Sequence, residues 1–246
     1  MKRSFGLSAV VLIGVAIFGL PSCAPTIDAE AVLSEGYTPF ETGVRRQPNG
    51  ILQVQALTRM PRVKAAMVKW WFTDFLQTTE HYKWWHPTAH VWMDWENKRP
   101  GEIVGASHLV HEYIGADLSK LRIQFVPAEE ILGSYEERPD RFVLCARVGM
   151  LEEPINVTKM CHIVRDTPWG AQMRSHFWLG HVSRRDGDEI VPSVEGVLGN
   201  TALVRMLAAP AQLGTDLMIH AVEEMGYLSD LLPDLYAGET GAALAD

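Results

Sequence analysis

From Ile51 to Leu57 apolar and polar side chains alternate with the period of a strand that buries one face, and the same period returns over residues 102–113, 121–126, 141–148, 156–165 and 171–180. Gly, Pro and Asp turns separate these runs. Between the first and second, Pro61 heads a helical pattern reaching Leu76, with Val63, Met67, Trp70, Trp71, Phe72 and Phe75 on a broad apolar face. After Pro192 the apolar period lengthens: residues 201–208 and, beyond Pro210, residues 213 to about 228 read as one long helix broken once. A helix, five or more antiparallel strands and a terminal helix predict an α+β architecture, in which a curved antiparallel sheet wraps around the C-terminal helix. Such a helix-grip encloses a pocket between sheet and helix, and polar side chains pointing into it are the candidates for function.

The ends of the chain read differently. Lys2 and Arg3 precede an apolar stretch from Leu7 to Leu20, followed at once by Pro21, Ser22 and Cys23. That is the pattern of a secretion signal over residues 1–22 and is too short to span a bilayer comfortably. Residues 23–50, rich in Gly, Pro and Thr, read as a tether, residues 51–232 as the folded domain and residues 233–246 as a frayed tail. A formal net charge of −8, with Lys and Arg occurring at most in pairs, gives no electrostatic footprint for nucleic acid. Besides Cys23, the chain has Cys145 and Cys161, each in an alternating segment, with the sequence LEEP between them. A turn centred near Glu153 would set the two opposite one another on a hairpin, as a disulfide or as two separate buried thiols.

Nine His and eight Trp, several of each within residues 70–112, direct attention to metal chemistry. In LMIHAVEEM, His220 and Glu224 are one helical turn apart, on a face shared with Leu213, Leu217 and Ala221, so both point inward. A buried carboxylate beside an imidazole needs compensation, which a divalent cation provides by replacing a proton; a salt-bridged surface pair is the alternative. In HLVHEY, His108 and Glu112 share one strand parity and His111 has the other. The run HYKWWHPTAH adds His81, His86 and His90. Mixed imidazole and carboxylate donors suit zinc, with manganese or iron as alternatives. There is no HExxH, GxSxG or P-loop sequence, which argues against an ordinary zinc protease, an α/β-hydrolase and a nucleotide hydrolase.

Taken together, HYKWWHPTAH, SHLVHEYIG, CHIVRDTPWGAQMRSHFWLG and IHAVEEMGYL resemble the diacetylphloroglucinol hydrolase and phloretin hydrolase family over about residues 60–230. The resemblance implies a fold similar to Bet v 1 and START proteins, and a zinc enzyme that cleaves the carbon–carbon bond between an aromatic ring and an acyl group. It implies one Zn2+ per chain, with metal ligands at His90, Glu112, His220 and Glu224, His86 being the alternative to His90. It also implies substrate contact at Tyr82, a proton-transfer role for His162, and a second substrate contact at Phe177, where a Tyr stands in family members. Ala89 stands where an acidic residue would precede the first ligand. LPSC resembles a bacterial lipobox, so Cys23 would be acylated, anchoring the chain in the cell envelope on the periplasmic face; Ala24 favours the outer membrane by resemblance to known lipoproteins. A homodimer is left open.

The implied chemistry accounts for these residue types. Removing an acyl group from carbon by water expels a carbanion, which a phenolic ring accommodates as an enolate through its keto tautomer. Zinc polarises the ketone oxygen and lowers the pKa of water, His162 moves a proton and Tyr82 orients a hydroxyl or carbonyl. Trp70, Trp71, Trp84, Trp85 and Trp178 would wall the cavity or simply pack the core. Two alternatives use the same residues: a lipid-anchored START-like carrier of an apolar ligand, and a metal-dependent esterase.

Overall fold

The computed structural model describes residues 27–242, so Cys23 and the expected signal lie outside the described residues. Nine strands form one antiparallel sheet: β1 (Gly43–Arg46), β2 (Leu52–Pro61), β3 (His90–Glu96), β4 (Ser107–Ile114), β5 (Asp117–Val126), β6 (Arg141–Met150), β7 (Ile155–Thr167), β8 (Gly170–Asp186) and the short β9 (Glu189–Val191). Their order is β1-β2-β8-β7-β6-β5-β4-β3, with β9 paired to the end of β8. Helices α1 (Ala29–Leu33), α2 (Ala65–Trp70), α3 (Thr79–Trp85), α4 (Ala128–Leu132), α5 (Val194–Gly199) and α6 (Ala202–Ala208) are short, whereas α7 runs for 30 residues, Ala211–Thr240. The last packs against β2 and β1 near one edge and reaches β4 toward the other, so the sheet curves around it as the expected helix-grip.

Alternation along the strands sorts the side chains into two apolar layers. Val54, Leu144, Ala146, Met160, Val164, Met173 and Phe177 face inward with Met225, Leu228 and Leu232 of α7. Cys145, Cys161, Ile163 and Trp178 face outward, beneath Val32 of α1 and Ile131 and Leu132 of α4. Each large apolar side chain removed from water in this way contributes ~1.5–3 kcal/mol. Gly214 allows α7 its close approach, because a Cβ there would lie 2.7 Å from Val44 Cγ1 and 2.9 Å from Leu52 Cδ2. Cys145 and Cys161 are directly opposed on β6 and β7 and joined as a disulfide, which resolves the choice left by the sequence.

Several boundaries depart from expectation. Strand β2 continues through Pro61, which therefore ends a strand instead of opening a helix; the chain turns at Arg62 (φ 63°) and α2 begins at Ala65. After α2 the backbone passes into a π-helical turn, Trp71–Phe75. Strand β3 and helices α3, α4 and α5 were not read from the pattern, and β4 starts at Ser107, not at residue 102. The segment assigned to a tether contains α1 and β1, both packed on the domain. The tail assigned to residues 233–246 is helical as far as Thr240, with Pro233 buried inside α7. A proline in a helix interior costs ~3 kcal/mol. Here Leu228 and Leu232, both fully buried, hold the helix on the core before Pro233, and Leu235 and Tyr236 pack on it beyond. Among the described residues no helix is long and apolar enough to cross a membrane.

Candidate metal centre and cavity

Between the inner face of the sheet and α7 lies a cavity of about 370 Å³. Phe72, Trp85, Phe125, Leu144, Phe177 and Leu217 give it an apolar wall, and Glu112, His162, His220 and Glu224 also line it. That volume suits a small aromatic molecule.

Four of the predicted residues meet at one end of this cavity. His90 opens β3 and is paired in register with Glu112 of β4, while His220 and Glu224 come from successive turns of α7. The Glu112 carboxylate is 3.9 Å from His90 Nε2 and 4.0 Å from His220 Nε2. The Glu224 carboxylate is 3.6 Å and 3.7 Å from the same two nitrogens. The ligand atoms of His90, Glu112 and His220 all lie within 4.8 Å of one another. Donors ~2.1 Å from a tetrahedral ion stand ~3.4 Å apart, so this constellation is close to the size that a divalent cation requires.

The surroundings fix how these groups point. His90 Nδ1 is 2.8 Å from the Tyr82 carbonyl, which makes Nδ1 the protonated nitrogen and leaves the Nε2 lone pair directed at the carboxylates. That Nε2 is buried and has no hydrogen-bond partner, an orphan that a metal would satisfy. A backbone carbonyl thus orients His90, while Ala89 stands where the family resemblance implies an acidic residue. The Tyr82 ring stacks on His90 at 3.7 Å, and its hydroxyl donates to Glu112. Burial raises the Tyr82 phenol well above its ordinary pKa, and the Glu112 charge adds to this. Burial pushes the Glu224 carboxyl up to about 8; His220 opposes the rise and Glu112 adds to it. Without a cation Glu224 therefore carries a proton at neutral pH, and a bound cation would displace it. His86 stays outside the cluster: its Nε2 faces Glu223 at 3.4 Å, and its ring lies against His220 and Tyr227.

Along the wall, His162 Nδ1 is 2.9 Å from Ser175 Oγ on the neighbouring strand, and its ring meets Phe177 edge-on at 5.8 Å. Burial, with a smaller contribution from His176, lowers the His162 pKa to about 3, so the imidazole is neutral. His108 also lines the cavity, stacked on Trp95, with Nε2 buried and unpartnered. His111 points to the opposite face beside Trp92, and His81 bonds to the Phe75 carbonyl. Of the five tryptophans considered as walls, Trp85 alone lines the cavity: Trp71 lies in the core, Trp70 packs on Tyr236, Trp84 is exposed and Trp178 faces outward. Sequence reasoning missed Ser175 and Arg205. Ser175 became findable only through the register that pairs it with His162. Arg205 lines the cavity, and its signal in the sequence was a lone charge in an otherwise apolar helix.

The chain is 27% identical over 227 residues to a 2,4-diacetylphloroglucinol hydrolase of a Pseudomonas species, covering 85% of this chain and 75% of that one. The enzyme of that name from Pseudomonas protegens is also 27% identical, with 72% of its length covered. Solved structures with partial likeness include ginseng major latex-like protein 151 from Panax ginseng (11% identity, TM-score 0.36, 68% of this chain and 95% of that one). Another is norcoclaurine synthase from Thalictrum flavumn (8% identity, TM-score 0.38, 77% and 99%). Residues 25–237 match the DAPG hydrolase PhiG domain. With that match spanning most of its length, the chain is a hydrolase belonging to the DAPG hydrolase PhiG domain family.

Proposed function

We propose that this protein is a zinc-dependent hydrolase that removes an acyl group from a phenolic ring of the acylphloroglucinol type, or from a related diketone, by carbon–carbon cleavage. The observation that carries this reading is the buried His90, Glu112, His220 and Glu224 cluster at the end of an apolar cavity, in a chain related to hydrolases of that substrate. Zinc suits a donor set of two imidazoles and two carboxylates, and when bound it supplies Lewis-acid polarisation of a carbonyl oxygen.

The chain's own groups do the rest. The apolar walls seat the ring, Phe177 packing against it, and keep bulk water away. Tyr82, held by Glu112, orients a substrate hydroxyl or carbonyl. Neutral His162 accepts a proton from the attacking water, while Ser175 fixes the ring by bonding to Nδ1. As the carbon–carbon bond breaks, its electron pair passes into the ring as an enolate, and His162 returns the proton to ring carbon. The products are a carboxylic acid and a ring carbon–hydrogen bond.

Incubation with an acylphloroglucinol in H2(18)O tests this: label in the carboxylate of the released acid, with a ring C–H product, is expected. A phenol or alcohol product from an ester, with no ketone cleavage, would make the protein an esterase instead. His162→Gln is expected to lower kcat ~10²–10⁴-fold while metal content stays unchanged.

We also infer that Cys23 is acylated and that the domain lies in the cell envelope. The LPSC sequence supports this, and so does a disulfide of a kind that persists in oxidising compartments. The mature protein should carry a lipid mass that Cys23→Ser abolishes.

A further inference from the structure

Helices α5 and α6 form a flap with two unlike faces. On the inner side Gly199, Arg205, Ala208 and Ala209 line the cavity. A Cβ on Gly199 would fall 2.7 Å from Val182, so α5 lies directly on β8. The buried Arg205 guanidinium pins α6 through the Gly180 carbonyl at 2.8 Å, the Asn49 carbonyl at 3.2 Å and Asn200 Oδ1 at 2.9 Å. The outer side is apolar and open to solvent. Val194, Val197 and Leu198 of α5, and Leu203, Met206 and Leu207 of α6, are each more than half exposed, Leu207 by 75%. In both helices the spacing is i, i+3, i+4, so each presents one coherent apolar stripe.

Six such side chains on adjoining helices exceed the scattered apolar exposure normal for a water-facing surface and mark a docking site. Its chemistry narrows the occupant. From Val194 to Thr215 two residues are charged: Glu195, which pairs with Arg184 at 3.2 Å, and Arg205, which is turned inward. A protein partner would ordinarily meet an extended charged or polar rim, which on these two helices is reduced to the single Glu195–Arg184 pair. The sequence before Ile27 points to a bilayer: an apolar run from Leu7 to Leu20, then Cys23, four positions from the first described residue. Four residues reach at most ~14 Å, so an anchor there would hold the domain against the lipid surface and make a second contact effectively intramolecular.

We propose that the outer face of α5 and α6 docks on the lipid bilayer, placing the flap over the cavity at the membrane surface, where apolar aromatic molecules partition. The proposal rests on the cell-envelope reading of the N-terminal segment, though not on acylation itself. Binding draws on apolar area without Lys or Arg, in a chain of net charge −8, so it is insensitive to salt and does not need anionic lipid.

The test uses the full chain carrying Cys23→Ser, which leaves Cys145 and Cys161 joined and no other thiol, reconstituted in phosphatidylcholine vesicles. One version carries Leu207→Cys and another Asp234→Cys, each labelled with nitrobenzoxadiazole. Position 234 lies 23 residues, ~35 Å, beyond the start of α7 at Ala211. At position 207 a blue-shifted emission is expected, with quenching of about twofold or more by nitroxide-bearing lipids. At 234 the label stays aqueous. Adding Leu203→Asp to the Leu207→Cys chain should abolish the shift. A 207 label as aqueous as that at 234 would overturn the proposal. So would a blue-shifted label that nitroxide lipids fail to quench, since a protein surface, such as a second copy of the chain, would then cover the face. The mass measurement at Cys23 is independent, so loss of acylation and loss of docking are read separately.

Discussion

Two buried polar constellations, one on each face of the same sheet, are built to opposite ends. On the outer face Arg174 is fully engaged: it donates to both carboxylate oxygens of Glu41 at 2.9 Å, to the Ser34 carbonyl at 2.6 Å and to the Gly36 carbonyl at 2.5 Å. Burial pushes the Glu41 carboxyl up, but the bonds from Arg174 and Thr38 outweigh it and leave the pKa lowered. On the inner face His90, Glu112, His220 and Glu224 place two carboxylates beside two imidazoles with no Arg or Lys among them, and burial leaves Glu224 with a raised pKa of about 8. A satisfied ion pair holds the strap of residues 34–41 on the sheet. An unsatisfied set of donors stores its need for a cation. Burial alone therefore does not separate structural charge from functional charge; the state of the partners does.

Replacing a ligand should break the inner constellation most severely. His220→Ala or Glu224→Ala is expected to remove bound zinc, measured as metal per chain, and to lower kcat/KM about 10³-fold or more, ~4 kcal/mol of transition-state stabilisation. Arg174→Ala should do the reverse, costing about 3–5 kcal/mol in denaturant unfolding because Glu41 loses its partner, while metal content stays at one per chain. Loss of metal from the Arg174 variant would erase the distinction. Reducing Cys145–Cys161, or Cys145→Ala with Cys161→Ala, should cost about 2–4 kcal/mol and again spare the metal.

The smallest effect is the most diagnostic. Glu224 stays protonated in the folded metal-free protein up to about pH 8, whereas unfolded it ionises near its ordinary value of 4.5. The folded state then binds more protons, so this group's contribution to stability falls as pH rises from about 4.5 to 8. Glu41 has the opposite sign: its lowered pKa stabilises the fold above its ordinary value, and that contribution is lost as acid protonates it. Zinc binding at pH 7 should accordingly release about one proton in calorimetry across buffers of different ionisation enthalpy, and fewer at pH 9. Equal proton release at both values would mean that Glu224 is already ionised.

Much of this was legible in the chain. Period-two alternation located β2 and β4 to β8 with ends off by up to six residues, and the terminal helix followed from its 3.6-residue stripe as far as about residue 228. The inward direction of His220 and Glu224 followed from their spacing on an apolar helix face, and the opposition of Cys145 and Cys161 from a turn midway between them, while their joining as a disulfide did not. Other features were hidden for specific reasons. Strand β3 carries a register shift between His90 and Trp92, so its alternation changes phase and His90 read as part of a turn. Residues from 233 onward read as a frayed tail because what holds them, the packing of Leu235 and Tyr236 on the core, involves residues far away in sequence. The tether looked loose because the groups that fasten it, Arg165 and Arg174, are more than a hundred residues distant.

By itself the sequence determined which side chains could be on the same face of each element, since helix and strand periods are local properties of the backbone. It thereby specified the donor types of the centre and the layer architecture. Only the tertiary structure decided which faces meet. The choice of His90 over His86, the partnership of His162 with Ser175, and the placing of α5 and α6 against the cavity with an apolar outer face all depend on register and on how the sheet closes around α7. Those contacts link residues distant in the chain, and no local period encodes them.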